Sequence, residues 1–284
     1  SQFIESLEDK GFFIASESRT RTLHTPQIVA QILNMEYLDD EPWSEATYRK
    51  MAYSRVADSL KAHGYRYIYF GHVYDIDRWD SYMEDNADLY FNYYVEAATI
   101  WVSEFQEILW NTTMLKPFYY HLVGNQYENA WRRQILYTLE HLKAMPEVAS
   151  PKFVYAHIFC PHPPWLFGPQ GEYVDRANWA NFEDKQFHLG QYIFISGEIE
   201  RVVDVLLKKS EMPPIIILQS DHGIRPWHMP TVDGGNYEWQ KILNAMYLPG
   251  MDYEQLSESI SPVNTFRLIF NQYFGADYPL LEDE

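Results

Sequence analysis

Short apolar runs alternate with amphipathic stretches along most of the chain. The runs predict strands at residues 12–15, 65–70, 153–159, 215–219 and 244–248. Helical spacing of apolar positions predicts helices at residues 1–10, 25–38, 44–63, 186–209 and 262–274. Strands that alternate with helices favour an α/β fold, with a mostly parallel central sheet flanked by helices.

One long segment departs from this alternation. Residues 80–145 carry helical patterns without strand signals, which predicts a helical insertion. The chain contains no repeat and no low-complexity tract, and its 284 residues suffice for one large α/β domain or two small ones.

The charge and the aromatic content of the chain limit the kinds of molecule that it is expected to bind. The formal net charge of −18 argues against nucleic acid, because phosphate backbones bind surplus Lys and Arg. An anionic substrate would therefore be held locally, by a metal ion and a few cationic groups. The aromatic content of 17% favours aromatic side chains packed in layers inside the protein. The alternative is an aromatic surface that faces a carbohydrate or a lipid. No run reaches the roughly 18 apolar residues of a membrane span, so none is predicted in this segment.

The strongest chemical motif is Ser220-Asp221-His222-Gly223, directly after the strand at 215–219. Ligands of open α/β sheets bind at the carboxyl ends of strands. A carboxylate beside an imidazole suits Zn²⁺, Mn²⁺ or a similar divalent ion such as Mg²⁺ or Ca²⁺. The alternative is a turn with a capping Asp.

Two histidines follow the strand at 153–159. Prolines around His162 rigidify its loop, so its imidazole is a candidate to hydrogen-bond an anionic ester oxygen. His157 is a second candidate, although its position within the predicted strand favours a structural role.

The polar loop from residue 16 to residue 25 lies between a predicted strand and a predicted helix. Thr25 stands at the helix start, where the helix dipole favours anions, and a nearby metal would make its hydroxyl a nucleophile. Arg21 in the same loop is a candidate substrate contact. The alternative is a polar loop with a helix cap.

Together these segments resemble the sulfatase-like branch of the alkaline phosphatase superfamily. The resemblance is greatest to bacterial membrane-anchored sulfatase-like proteins, and more distant to phosphoglycerol and phosphoethanolamine transferases. The Ser-Asp-His-Gly block is its most specific part. The matching segments are residues 7–13, 25–38, 157–165, 213–223, 243–249 and 262–267.

The resemblance implies a single catalytic domain over residues 1–284, with an alkaline phosphatase-like fold. It implies a metal-dependent hydrolase or transferase of phosphate or sulfate esters, at the extracytoplasmic face of a bacterial membrane or in the periplasm. Thr25 would be the nucleophile and would share the divalent metal with Asp221 and His222, while His162 would contact the substrate. The substrate would be an anionic ester, such as a glycan or a lipid head group. No Cys/Ser-x-Pro-x-Arg motif marks a sulfatase, which favours phosphoesters.

In the family, a strand ending in a metal-binding Asp precedes the segment with which this chain begins. The resemblance therefore implies that the first strand is missing, that sheet edges are exposed, and that metal binding and turnover are impaired. The alternative function is a catalytically inactive protein of the same fold that binds an anionic glycan or a lipid head group. An aromatic carbohydrate-binding module is a third, weaker interpretation.

Overall fold

The structure, a computed structural model, describes residues 1–39, 41–72, 81–93, 126–174, 185–223 and 238–282. The helices are α1 Gln2–Asp9, α2 Thr25–Asn34, α3 Glu45–Ala52, α4 Arg55–Ala62, α5 Ser81–Asn86, α6 Gln126–Ala144, α7 Lys185–Lys209 and α8 Thr265–Phe274. The strands are β1 Phe13–Ile14, β2 Arg66–Phe70, β3 Leu89–Phe91, β4 Lys152–Ala156, β5 Ile216–Gln219 and β6 Asn244–Tyr247. No helix in these ranges is both long enough and apolar enough to cross a membrane.

The α/β class is confirmed, but the described strands form two sheets of three strands. In the first, both β3 and β4 pair with β2 in parallel. In the second, β6 lies between β1 and β5 and is antiparallel to both. The expectation of one mostly parallel sheet is therefore wrong for the second sheet. No helix is predicted between the last two strands, and consecutive strands without a crossover helix pair antiparallel.

The two sheets share the same covering helices. One core cluster contains Tyr69 of β2, Ile217 of β5 and Met246 of β6, together with Leu33 of α2 and Phe266 of α8. On the opposite face, α7 packs against both sheets, since its Leu206 contacts the cluster behind each of them. The sheets therefore form neighbouring parts of one layer between two layers of helices.

Aromatic stacking crosses the parallel sheet. The ring of Tyr69 lies between those of Tyr90 and Tyr155, at centroid distances of 5.7 and 6.2 Å, and Phe70 stacks on Phe91 at 5.0 Å. Each such pair contributes about 0.5–1.5 kcal/mol beyond the area that it buries. Packing therefore uses much of the aromatic content of these strands.

The helix predicted over residues 44–63 is interrupted. The chain leaves the helical conformation at Tyr53, and α4 begins after Ser54, whose backbone is extended. The Ser54 hydroxyl accepts a hydrogen bond from the Ala57 amide at 3.3 Å. Ser favours such caps over helix interiors because its hydroxyl competes for backbone hydrogen bonds.

The segment 80–145 also differs from its prediction. It is helical over α5 and α6, but β3 lies between them and pairs with β2, with Leu89 opposite Ile68. Three residues are too few for periodicity to reveal a strand. Residue 80 and residues 94–125, which the prediction also covers, lie outside the described residues.

We predict that Ser54→Ala lowers the free energy of unfolding by about 1 kcal/mol, because the buried first turn of α4 loses its cap. Ser59→Ala, in the same helix, is the matched control and should change it by less than about 0.5 kcal/mol. Urea denaturation followed by circular dichroism measures both. Equal effects of the two variants would contradict the assigned helix break.

Candidate active site at the carboxyl ends of the strands

Thr25 and Asp221 meet although 196 positions separate them. The Thr25 hydroxyl donates to Asp221 Oδ2, with an oxygen–oxygen distance of 2.5 Å. Asp221 follows β5 by two residues, and Thr25 is the first residue of α2. His24 occupies the cap position of that helix and makes no side-chain cap hydrogen bond. The Thr25 hydroxyl is thus directed to the end of the sheet and does not cap its own helix.

Three other hydroxyls of the loop before α2 are committed to different partners. Ser16 donates to Glu258 at 2.5 Å, Ser18 donates to the Ile260 carbonyl at 2.7 Å, and Thr22 donates to Gln27 at 3.1 Å. These bonds fasten the loop to the C-terminal part of the chain and to α2. The sequence offered several candidate hydroxyls, and the structure brings Thr25 to Asp221.

The His222 ring is oriented by its neighbours. Its Nδ1 lies 2.7 Å from the carbonyl oxygen of Gly223, which can only accept, so Nδ1 carries the proton. In the neutral ring Nε2 then keeps its lone pair, and it lies 3.5 Å from Asp221 Oδ2. A ring whose Nδ1 proton is held by a backbone carbonyl and whose Nε2 faces the site is one of the common arrangements of metal-binding histidines.

Burial would raise the pKa of Asp221, but its neighbours outweigh burial and lower it. Electrostatic interaction with the imidazoles of His222 and His157 acts in this direction, as do the hydrogen bonds from the Thr25 hydroxyl and the His222 backbone. Asp221 is therefore an ionised carboxylate at neutral pH. An anionic oxygen, an imidazole nitrogen and a hydroxyl oxygen together fit a divalent cation. Within the described ranges, no group of three or more His, Cys, Asp or Glu side chains is arranged to hold a metal.

His157 lies beside this group because β4 ends at Ala156, three residues earlier than predicted. Burial lowers its pKa to about 4, and neighbouring His72, His162 and His222 lower it further, against the opposing charge of Asp221. His157 is consequently neutral at pH 7. Its position just past the strand corrects the expectation that it lies within the strand.

The His162 loop is held by backbone contacts. His162 Nδ1 lies 2.5 Å from the Pro163 carbonyl, and the carbonyl of His162 accepts from Gln191 Nε2 at 2.9 Å. Gln191 comes from α7, which fixes the loop against that helix. His162 lines the same cavity as Thr25 and Asp221, which has a volume of about 2970 Å³.

Arg21 lies elsewhere. Its guanidinium carbon is 3.5 Å from the centroid of the Tyr37 ring, and its Nη2 donates to the Glu282 carbonyl at 3.3 Å. Arg21 does not line the cavity that contains Asp221. The structure thus places this predicted substrate contact in the packing between α2 and the C-terminal segment.

His72 is a neighbour that the sequence analysis missed. It follows β2 by two residues, is only 3% exposed, and its ring lies 6.0 Å from that of His157 and 5.0 Å from that of Phe159. The rule that selected the other residues, a polar side chain just past an apolar strand, would have identified it.

Comparison with known proteins finds no relative. No family model matches the chain, and no curated protein or solved structure is significantly similar to it. Function must therefore be argued from the residues gathered around Asp221.

We predict that His157 makes the protein less stable as the pH falls from 6.5 to about 4. The unfolded chain takes up a proton near pH 6.5 while the folded ring stays neutral until about pH 4, so stability falls by up to about 1.4 kcal/mol per pH unit. His157→Gln removes this proton uptake. Urea denaturation at pH 7, 6 and 5 should show wild type losing stability relative to the variant. A difference that stays constant with pH would contradict the lowered pKa.

Proposed function

We propose that this chain is a metal-dependent hydrolase or transferase of phosphate or sulfate esters, with Thr25 as the nucleophile. The observation that carries the proposal is the 2.5 Å hydrogen bond from the Thr25 hydroxyl to Asp221 at the end of β5. The resemblance to the sulfatase-like branch of the alkaline phosphatase superfamily assigns these residues the same roles. It also suggests an extracytoplasmic or periplasmic site of action.

A divalent metal ion would be held by Asp221, by His222 Nε2 and by the Thr25 oxygen. When bound, such an ion neutralises the ester oxygens and lowers the pKa of a bound hydroxyl. Asp221 contributes its charge, and the Gly223 carbonyl keeps the His222 lone pair available. The identity of the metal is open among Zn²⁺, Mn²⁺, Mg²⁺ and Ca²⁺.

The reaction would proceed in two steps through Thr25. Its oxygen forms a bond to phosphorus, the bond from phosphorus to the leaving alcohol breaks, and the hydroxyl proton leaves towards Asp221 Oδ2. Water or an acceptor alcohol then attacks the phosphothreonine, and the oxygen of Thr25 is released and takes up a proton again. Hydrolysis and transfer differ only in the second nucleophile.

The neighbouring imidazoles would contact the ester. His157 is neutral at pH 7 and lines the cavity, so its ring has one N–H that can be donated to an ester oxygen. His162 lines the same cavity, but its Nδ1 proton is directed to the Pro163 carbonyl, so its Nε2 would donate to the ester only in the protonated ring. Phosphate is favoured over sulfate because the chain has no Cys/Ser-x-Pro-x-Arg motif. The cavity is largely apolar around Trp165 and Ile195, which suits an ester with an apolar portion, such as a lipid head group with its first acyl carbons.

We predict that Thr25→Val abolishes turnover of an aryl phosphodiester, by at least about 10³-fold, whereas Thr25→Ser retains measurable activity. Assays with Mn²⁺ and with Zn²⁺ measure the loss. Incubation with a ³²P-labelled ester followed by acid quench should label the peptide that contains Thr25. The corresponding ³⁵S-labelled sulfate ester distinguishes the two substrate classes.

Thr22→Val is the matched control, because this hydroxyl belongs to the same loop but bonds to Gln27. It should leave turnover within about threefold. Equal loss in both threonine variants would refute the nucleophile. Saturable binding of an anionic glycan or lipid head group without turnover or labelling would support the inactive binding protein instead.

We predict that Zn²⁺ and Mn²⁺ bind weakly, with Kd above about 1 μM, because few protein ligands converge at the site. Asp221→Asn should weaken binding by at least about tenfold, since it removes the anionic ligand. Isothermal titration calorimetry measures both, with Asp58→Asn on the exposed side of α4 as the control. Nanomolar affinity in wild type, or unchanged affinity in Asp221→Asn, would contradict the proposed ligand set.

A further inference from the structure

Residues 240–244 lie between the loop before α2 and the end of β5. On one side of this segment, the Ile242 amide donates to the Ser18 carbonyl at 3.2 Å. On the other side, the Leu243 carbonyl accepts from the Ser220 amide at 2.9 Å. The loop that leads to the nucleophile and the strand that leads to the carboxylate are therefore attached to opposite sides of one short segment.

The side chain of Asn244 adds a second bridge between the same two parts. It is 1% exposed, its Nδ2 donates to the Ser18 hydroxyl at 3.1 Å, and its Oδ1 accepts from Gln219 Nε2 at 3.0 Å. Ser18 belongs to the loop that leads to Thr25. Gln219 is the last residue of β5, two positions before Asp221. One amide thus connects the loop of the proposed nucleophile with the strand of the carboxylate.

This bridge belongs to a larger buried polar network. Asn244 Nδ2 also donates to the Ile260 carbonyl at 3.3 Å, and the same carbonyl accepts from the Ser18 hydroxyl at 2.7 Å. Gln219 Nε2 also donates to the hydroxyl of Thr265, which is 0% exposed, at 2.9 Å. Buried polar groups that are connected by hydrogen bonds rigidify their surroundings and specify one arrangement of the core. The network therefore fixes how the loop lies relative to the strand.

We propose that Asn244 is a positioning residue for the Thr25 hydroxyl and the Asp221 carboxylate, although its own hydrogen bonds go to neither. It holds the two groups at the oxygen–oxygen distance of 2.5 Å, at which the Thr25 proton can leave towards Asp221. Rates depend strongly on such placement, since a displacement of about 1 Å can cost about 10²-fold. The inference rests on the proposed function, but the bridge can also be tested without turnover.

The variant Asn244→Leu roughly keeps the size of the side chain and removes the bridge. With the aryl phosphodiester and Mn²⁺, kcat should fall at least about 30-fold while KM stays within about threefold, because the residues that line the cavity around the ester are unchanged. Asn34→Leu is the matched control, since this buried amide donates to the Ala30 and Lys50 carbonyls at the other end of α2 from Thr25. It should leave kcat within about threefold. Both variants are assayed at a temperature at which circular dichroism shows them folded.

A double variant separates positioning from a general loss of stability. Ser18→Ala removes the other partner of the bridge and should lower kcat at least about fivefold. Combined with Asn244→Leu, it should slow turnover by no more than about twofold beyond Asn244→Leu alone, because both changes break the same link. Effects that multiply would show that the two residues act independently and would contradict the bridge. If Asn244→Leu does not fold, the measurements on Ser18→Ala decide.

Amide hydrogen exchange followed by mass spectrometry tests the bridge without turnover. Asn244→Leu should accelerate exchange at least about tenfold in peptides that cover residues 18–28 and 216–223, whereas Asn34→Leu should not. Unchanged exchange in these peptides would overturn the positioning role. An active wild type with an unchanged kcat in Asn244→Leu, or an equal loss of kcat in both variants, would overturn it as well and leave the proposed function in place. Accelerated exchange in Asn244→Leu without turnover in wild type would support the bridge and refute only the proposed function.

Discussion

The ionised carboxylate of Asp221 is the group on which the site depends. Removing a carboxylate from water is costly, and the protein offsets this cost with a hydroxyl from α2 and with imidazoles at the ends of β4 and β5. Because these groups belong to distant parts of the sequence, their convergence ties the first large helix to the ends of two strands. The same convergence is the basis of the proposed function, in which the carboxylate, the imidazole nitrogen and the hydroxyl would serve as metal ligands and nucleophile.

His222 and His157 are held by different interactions, and this difference sets the role that each can have. The Gly223 carbonyl fixes the His222 ring so that its Nε2 faces Asp221, whereas burial keeps His157 neutral. A neutral ring next to an anionic ester can donate a hydrogen bond without introducing a charge that its surroundings would destabilise. The hydroxyls of the loop before α2 also have different roles. Those of Ser16, Ser18 and Thr22 hold the loop in place through hydrogen bonds, whereas that of Thr25 points to Asp221.

The candidate site lies at one end of the gap between β4 and β5, where the two sheets of the layer are not paired with each other by any described residue. Helices that cover both sheets hold them at the same level, yet the backbone edges of β4 and β5 are not joined by any described residue.

Local sequence patterns were sufficient to predict most helices and strands and to select the residues of the candidate site. Apolar runs predicted five of the described strands, and the rule that ligands follow strands selected Asp221, His222 and His162 before any geometry was available. Thr25 was selected by its place at a helix start. These features depend on neighbours in the sequence, through side-chain periodicity and through the few conformations open to residues after a strand. Tertiary structure decided four other features. They are the direction of the strands in the second sheet, the short strand β3, the packing of Arg21 on Tyr37, and the pairing of Thr25, among the hydroxyls of its loop, with Asp221. Each of them depends on which surfaces meet across long stretches of chain, and no local pattern carries that information.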